Sequence, residues 1–472
     1  MFLNIIKIIL LLIAKTIQEE KILFAFQINS NGGRSPNSGI KNEVDLFKEK
    51  WPGNNELSKM GRRQLYLLGV KTRKKYINKL LPEYYNPNNI YIKSTDDNHT
   101  IESVYSFLQG LFPSGHGQNI PELNINKDNI TYPPNIKYKE NFEEILREYN
   151  LENNTKALPY GISIQPIHIF YKPKHDFQLN KEDICPGLNE NYKKSNERKK
   201  IKEFVDKLNE NEDIKDMFMK LENSQNIDFL YNYKNLYSYI DSFRCDNLDM
   251  RNFDKLKNEI IKDKNYEEIL SKLNKSSYEF LSEDYLLKYN STEIFTIDTS
   301  QTFRDIIYWM EQSKNKYKEN NINYIKYVLY SSDESSIGTL DGFLYSLLNE
   351  SKMEYSNFPE SRYIELYSQN DEELRVRYLK SNDEVISDMT YNDFKEKIEN
   401  KIWDKEKIDN FCKFEKENEY NNENGKRKEI NKLGASIMII LSILDGFLIA
   451  LLILVCVQQN LKNKKIKTQV IE

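Results

Sequence analysis

Phe24-Ala-Phe-Gln-Ile-Asn-Ser-Asn-Gly-Gly-Arg-Ser-Pro36 is an apolar run that stops abruptly in Asn, Gly, Arg and Pro. Apolar and β-favouring residues fill Ile22 to Ile28 and two glycines follow. That pattern predicts a buried strand whose carboxyl end opens into a loop. In open α/β sheets, ligands bind at such strand ends.

The segments on either side repeat the arrangement. Leu57-Ser58-Lys59-Met60-Gly61-Arg62-Arg63-Gln64 opens a helical pattern with Leu65, Leu68, Tyr76 and Leu80 on one side and lysines on the other, ending before Pro82. Asn89–Ile92 reads as a second strand, running into the polar turn Lys93-Ser-Thr-Asp-Asp-Asn-His-Thr100 and then a helix through Val104, Phe107 and Leu111. Ile162–His168 is a third strand candidate. From about Asn189 to Tyr289 the pattern is helical, charged and interrupted. A helix near Phe303–Gln312 follows, then a strand at Tyr324–Tyr330 ending in Ser331-Ser-Asp-Glu-Ser-Ser-Ile337, and then two strands, Ser361–Tyr367 and Leu374–Leu379, around Gln369-Asn370-Asp371. Strand, loop and helix in alternation is an α/β beginning.

These motifs, in this order, resemble the histidine acid phosphatases, branch 2 of the histidine phosphatase superfamily. Gly32-Gly33-Arg34-Ser35-Pro36 is similar to the tail of that family's RHGxRxP signature. Leu57–Gln64 resembles its LTxxGxRQ helix start, Lys93–Thr100 its RSTDxxRT, and the stretch from Tyr330 its YSAHDTTV. Gln109–Pro113, Asp183-Ile-Cys-Pro-Gly187 and Tyr239–Cys245 also match. The resemblance spans about residues 22 to 412. It implies a three-layer α/β sandwich with a central mostly parallel sheet, the core taking residues 19–114 and 291–412 and a smaller helical cap about 115–290.

Catalysis in that family uses a neutral histidine as nucleophile, arginines to hold phosphate oxygens and an acid to protonate the leaving oxygen. At the matching positions this chain has Asn31 for the histidine, Ser30 for its arginine neighbour, Lys93 for a phosphate-gripping arginine, and Asp333 and Glu334 for the His-Asp pair. A one-residue deletion would instead set Ser332 and Asp333 on that pair. An amide is a negligible nucleophile, and lysine keeps charge but loses bidentate geometry. Arg34 and Lys93 against Asp333 and Glu334 cancel formally, so a phosphate dianion meets attraction and repulsion of similar size. His99 stands where the second motif has its later arginine, and reads as a surface residue of an Asn-x-Thr sequon. The expectation is a non-catalytic relative that binds a phosphorylated small molecule or a protein ligand; the alternative is a phosphatase of weak or altered activity.

Outside the motifs, 68 basic residues against 72 acidic ones leave no global field to select nucleic acid. No zinc-ligand cluster, Walker A loop or Gly-x-Ser-x-Gly elbow is present, and no cofactor is expected. The apolar run Ile8–Ala14 suits a signal peptide over residues 1–18. Residues 433–457 are apolar enough for a single type I span, Asp445 within it costing about 3 kcal/mol, between a charged stalk at 413–432 and a cytoplasmic tail at 458–472. A lumenal or extracellular ectodomain follows, with sequons at Asn98, Asn129, Asn153, Asn274, Asn290 and Asn349. The resemblance pairs Cys185 with Cys412 in a disulfide. It leaves Cys245 facing Ser361 in place of a partner cysteine, either buried and inert or available to a homodimer.

Overall fold

The structure, a computed structural model, describes residues 20–37, 51, 53–119, 156–169, 233–249, 266–289, 292–348, 358–369 and 373–412, with isolated positions between 199 and 212. Seven strands form one sheet: β1 (Glu20–Ser30), β2 (Ile90–Ser94), β3 (His168–Ile169), β4 (Tyr327–Ser332), β5 (Ser361–Gln369), β6 (Glu373–Lys380) and β7 (Val385–Thr390), in the order β3-β2-β4-β1-β5-β6-β7. Eight α-helices stand among the described residues: α1 (Lys59–Tyr76), α2 (Asn98–Leu111), α3 (Tyr233–Leu248), α4 (Tyr266–Tyr289), α5 (Thr292–Lys318), α6 (Glu334–Leu347), α7 (Tyr391–Glu399) and α8 (Lys405–Cys412).

The central strand β1 shows why the sheet is buried on both faces. Phe24, Phe26 and Ile28 join a core built with Phe303, Ile306 and Met310 of α5 and Leu340 and Phe343 of α6. Ala25 joins the opposite core with Leu65 of α1 and Val104, Phe107 and Leu111 of α2. The polar residue on that second face, Gln27, is fully buried and paired. Its amide donates to Asn29 Oδ1 at 2.7 Å, and its Oε1 accepts from the Tyr327 hydroxyl at 2.6 Å and from Thr72 at 3.3 Å. A buried polar side chain is tolerated on those terms.

The sheet is mixed, which corrects the expectation of a mostly parallel one. β1–β4, β2–β4 and β2–β3 are parallel pairs, whereas β1–β5, β5–β6 and β6–β7 are antiparallel. Only a few residues separate β5 from β6 and β6 from β7, and connections that short can join only antiparallel neighbours. The third strand candidate also contracts to the two residues of β3. Before it, Ile162 and Ile164 are exposed while Ser163 and Gln165 are buried, so the apolar side chains there face away from the protein. β7 and the two helices after it carry no motif and escape sequence reading.

Two close approaches bring the surroundings of the strand ends together. Helix α1 begins at Ser58, whose hydroxyl accepts from the Gly61 amide at 2.9 Å, and Ser58 N donates to the Gly33 carbonyl. A methyl group at Gly61 would sit 2.1 Å from Gly33 O. On α6, a methyl group at Gly338 would fall within the Tyr285 ring of α4, so glycine there lets the Tyr285 hydroxyl reach the Glu334 carbonyl at 2.8 Å.

Residues 1–18 and 433–457 lie outside the described residues, as do Cys185, Asn129, Asn153, Asn290, Asn349 and Asp445. The disulfide, the signal peptide and the span are therefore not among the features seen. Among the described residues no helix is long and apolar enough to cross a membrane. Asn98 is exposed and donates to Glu56 at 2.9 Å, and Asn274 is half-buried with its side-chain oxygen taking the Asn247 amide at 3.0 Å.

The contact at Gly61 sets a clear expectation. Gly61→Ala should lower stability by about 1–3 kcal/mol, the usual penalty of overpacking. Gly33→Ala meets nothing closer than 3.4 Å and should stay within about 0.5 kcal/mol of the parent. Urea unfolding of the two variants checks this, and equal losses would show that the approach of α1 to the loop is not tight.

Candidate functional site

The parallel register of β2, β4 and β1 aligns their carboxyl ends. Ser94 pairs with Ser331, Ser331 with Asn29, and Ser30 with Ser332. The three polar segments that follow, from Asn31, Thr95 and Asp333, therefore leave one edge of one sheet. Gly32 N donates to Ser103 Oγ of α2 at 3.2 Å, and Gly33 N to Gln64 Oε1 of α1 at 2.9 Å, so both helices hold the first loop.

Arg34 is the charged centre of that loop and is almost wholly buried. Its Nη2 and Nη1 donate to the two oxygens of Asp241 on α3 at 3.1 and 3.2 Å, and Nη1 also to the Ser35 carbonyl. The Asn37 amide donates to Asp241 Oδ2 at 3.0 Å. Burial works against both charges, but each ion outweighs it for the other: Arg34 is held protonated, and Asp241 is held below the usual carboxylate range. A second pair stands beside the first, Arg244 Nη1 to Glu334 Oε1 at 3.3 Å. The Phe358 ring faces both guanidinium groups, 5.4 Å from Arg34 and 4.0 Å from Arg244. Cys245 is free and buried, its sulfur 3.7 Å from Arg34 Nη1. Burial and then Asp241 push the thiol up, so it stays protonated.

The residues singled out from sequence separate into two groups here. Arg34 and Glu334 feel each other's charge, and Asn31 is fully buried at the end of β1 with its amide donating to the Gly32 carbonyl at 2.8 Å. Ser30 accepts from Glu360 N at 2.9 Å, a bond that fixes the start of β5. Lys93 lies one residue short of its strand end, its ammonium 5.7 Å from the centre of the Tyr330 ring, a ring in the core under α5 and α6. Asp333 caps α6, accepting from Ser335 N at 3.1 Å and Ser336 N at 3.4 Å. Its carboxylate serves a helix end, as the N-cap position favours. Among the described residues no group of three or more His, Cys, Asp or Glu could hold a metal ion.

Three participants were missed. Asp241 and Arg244 lie in the helical region, inside the Tyr239–Cys245 segment that matches the family but was given no role. His99 is not the surface residue its sequon suggests, being only 5% exposed. It lies one turn before Ser103 on the inner face of α2, where Ser103 Oγ donates to the His99 carbonyl. Burial, and then the nearby Arg34, lower its imidazole to about 4, so it is neutral near pH 7. One ring nitrogen bonds the Asn55 backbone, and the other, Nδ1, has no partner among the described residues. The helical spacing His99, Ser103, Phe107 was the available signal.

A family model described as "Histidine phosphatase superfamily (branch 2)" matches residues 14–381. Mouse testicular acid phosphatase is 36% identical over 173 residues, 34% of this chain and 38% of that protein. Human prostatic acid phosphatase is 35% identical over 101 residues, 21% of this chain and 25% of that protein. The matches thus span well under half of either relative. A Bifidobacterium longum multiple inositol polyphosphate phosphatase, solved with inositol hexasulfate, superposes with a TM-score of 0.47 at 11% identity, over 78% of this chain and 88% of that one.

The buried imidazole predicts a pH dependence. The ordinary value is 6.5 and the folded value about 4, so between those limits the unfolded chain binds a proton that the folded chain refuses. Stability attributable to His99 is intact above pH 6.5 and is lost as pH falls, by about 2–3 kcal/mol at about pH 4.5. Denaturant unfolding at pH 7 and pH 4.5 should show the parent losing that much more than His99→Gln. Parallel pH profiles would mean the imidazole is not held neutral.

Proposed function

Because the chain belongs to branch 2 of the histidine phosphatase superfamily, we propose that it is a membrane-anchored, non-catalytic relative of the acid phosphatases, using the old cleft to bind. The observation that carries this reading is the state of the two phosphate-handling positions. Asn31 stands where the family has its nucleophile, and an amide cannot take up a phosphoryl group and pass it on. Arg34, the remaining guanidinium of the signature, has its fork closed on Asp241. A phosphate could claim that fork only by leaving a buried carboxylate unpaired, a change on the order of 3–5 kcal/mol.

The anchoring part rests on the apolar run at 433–457 and the lysines behind it, and the secretory route on the N-terminal apolar run and the sequons. Relatives named as lysosomal acid phosphatases, such as that of Xenopus laevis, agree with such a route. The disulfide Cys185–Cys412 belongs to the same reading, since that compartment is oxidising. A phosphorylated small molecule and a protein remain the candidate ligands from sequence. A second reading, weak hydrolysis, is favoured by one feature: His99 offers a neutral imidazole with a bare nitrogen close enough to feel Arg34.

Hydrolysis of p-nitrophenyl phosphate by the full chain at acid pH should be at or near background. Asn31→His alone should recover little, because Arg34 stays on Asp241 and groups that act together are not additive. Adding Ser30→Arg and Asp241→Ser is the fairer restoration, since Lys93 lies over the Tyr330 ring. Strong turnover by the unmodified protein, abolished by Arg34→Ala, would overturn the non-catalytic reading. Loss of weak turnover in His99→Gln would select the second one.

A further inference from the structure

Helix α1 carries seven cations and no carboxylate, and α2, packed against it, carries one carboxylate, Glu102. Four of the seven cations serve the fold. Arg62 pairs with Glu102 at 2.8 Å, Lys71 with Asp383 at 3.1 Å and Lys75 with Glu365 at 3.0 Å, while Arg73 donates to the Leu111 carbonyl at 2.9 Å. The other three, Lys59, Arg63 and Lys74, are exposed, and no carboxylate among the described residues pairs with them.

These three share one stripe of the helix. The buried side of α1 is Gly61, Leu65, Gly69, Thr72 and Tyr76, and at about 100° per residue positions 59, 63, 67 and 74 lie on the opposite side. The stripe runs about 22 Å along the axis. Nothing in the helix itself favours this arrangement. Lys59 opens α1 where the helix dipole attracts an anion, and Arg63 follows it at i+4, a spacing that sets like charges against each other. Leu67 stands in the middle of the stripe and is 56% exposed. Tyr66, and Tyr105 one turn along α2 from Glu102, are also exposed.

Unpaired cations call for an anion, and exposed leucine and tyrosine for apolar contact at the same level. No groove for a peptide separates the two helices, which meet backbone to backbone: a methyl group at Gly69 would fall 2.0 Å from Phe107 O, and one at Gly110 2.1 Å from Tyr66 O. A convex helix side suits a flat partner. Lysine and arginine drawn to anionic headgroups, with leucine and tyrosine at the polar–apolar boundary, make the pattern of a helix lying on a membrane. We propose that the outer face of α1 rests on a bilayer containing anionic phospholipid. This contact does not depend on whether the strand ends are catalytic. An anchor at 433–457 would hold the face close to lipid, so that a weak contact is enough to orient the domain.

Leu67→Trp supplies a probe within the stripe, read against the unmodified chain and its three tryptophans. The full chain is reconstituted with vesicles of acyl-brominated lipid, either phosphatidylcholine alone or its mixture with phosphatidylserine; bromine quenches an indole lodged at the boundary. The added indole should be quenched on the phosphatidylserine vesicles, released there by high salt, and left bright on phosphatidylcholine alone. Each of Lys59→Gln, Arg63→Gln and Lys74→Gln should lower the ratio of docked to undocked chain about 5-fold, the worth of one cation at such a surface. None should lower the urea midpoint, because none of the three is paired among the described residues. At high salt an anchored chain still floats with the vesicles while the indole is released, so failure of the anchor and failure of the face are told apart. Equal quenching on both kinds of vesicle, or none on either, overturns the proposal. So does quenching that survives Lys59→Glu, Arg63→Glu and Lys74→Glu together. If polyglutamate binds the chain in calorimetry, and not that triple variant, while the vesicles fail to quench, the face belongs to an acidic protein and the proposal is wrong.

Discussion

An ion pair with both members out of water, Arg34 on the loop after β1 and Asp241 on α3, fixes what the strand ends can be. Each side chain is 3% exposed. Neither charge survives such burial alone, so the loop and the helix must be brought together for either to fold in place. Once they are, the guanidinium has spent its bidentate face within the chain. Asp241 also takes the Asn37 amide, and burial, with the field of Asp241 behind it, keeps the Cys245 thiol protonated. The unpaired cysteine is thereby an inert filler, which favours the buried reading over an intermolecular bond.

The electrostatic sum at the site is neutral, as the chain's own motifs suggest, but by a different set of residues. From sequence the balance is Arg34 and Lys93 against Asp333 and Glu334. In the fold, Lys93 lies over Tyr330 and Asp333 caps a helix. Their places are taken by Arg244 and Asp241 from α3. Helix α4 takes part as well, because the Tyr285 hydroxyl holds the Glu334 carbonyl through the gap left at Gly338. Half of the site's charges thus come from the helical region, each paired with an opposite charge on a segment at the strand ends.

What could be read in advance follows the range of the interactions. The strands β1, β2 and β4 declare themselves by continuous apolar runs that end in turn residues, since burial on both faces demands it. Their convergence follows from the parallel pairing. The antiparallel half of the sheet was half legible: β5 and β6 show a hairpin, whereas β7, VISDMT, has no buried residue and alternates weakly. Asp241 sits in a stretch, Tyr239–Cys245, that stands out in the chain, but its role could not be read there, because it comes from a partner 207 positions away. His99 could be read, since it shares a helical face with buried Ser103 and Phe107, whereas the sequon's Asn98 is exposed beside it.

The central place of β1 has a bearing on how the chain is made. Ala25 pairs with Tyr327 on one side and with Glu365 on the other, so an apolar strand of 11 residues leaves the ribosome about 300 residues before either neighbour exists. At roughly 5–20 residues per second that interval lasts on the order of 15–60 s. Throughout it, Phe24, Phe26 and Ile28 are without their core and both edges of the strand are open to other chains. Production of this protein is therefore governed by whatever shields its first strand during translation. Overexpression that outruns that shield should fill cells with aggregate long before the finished fold becomes unstable.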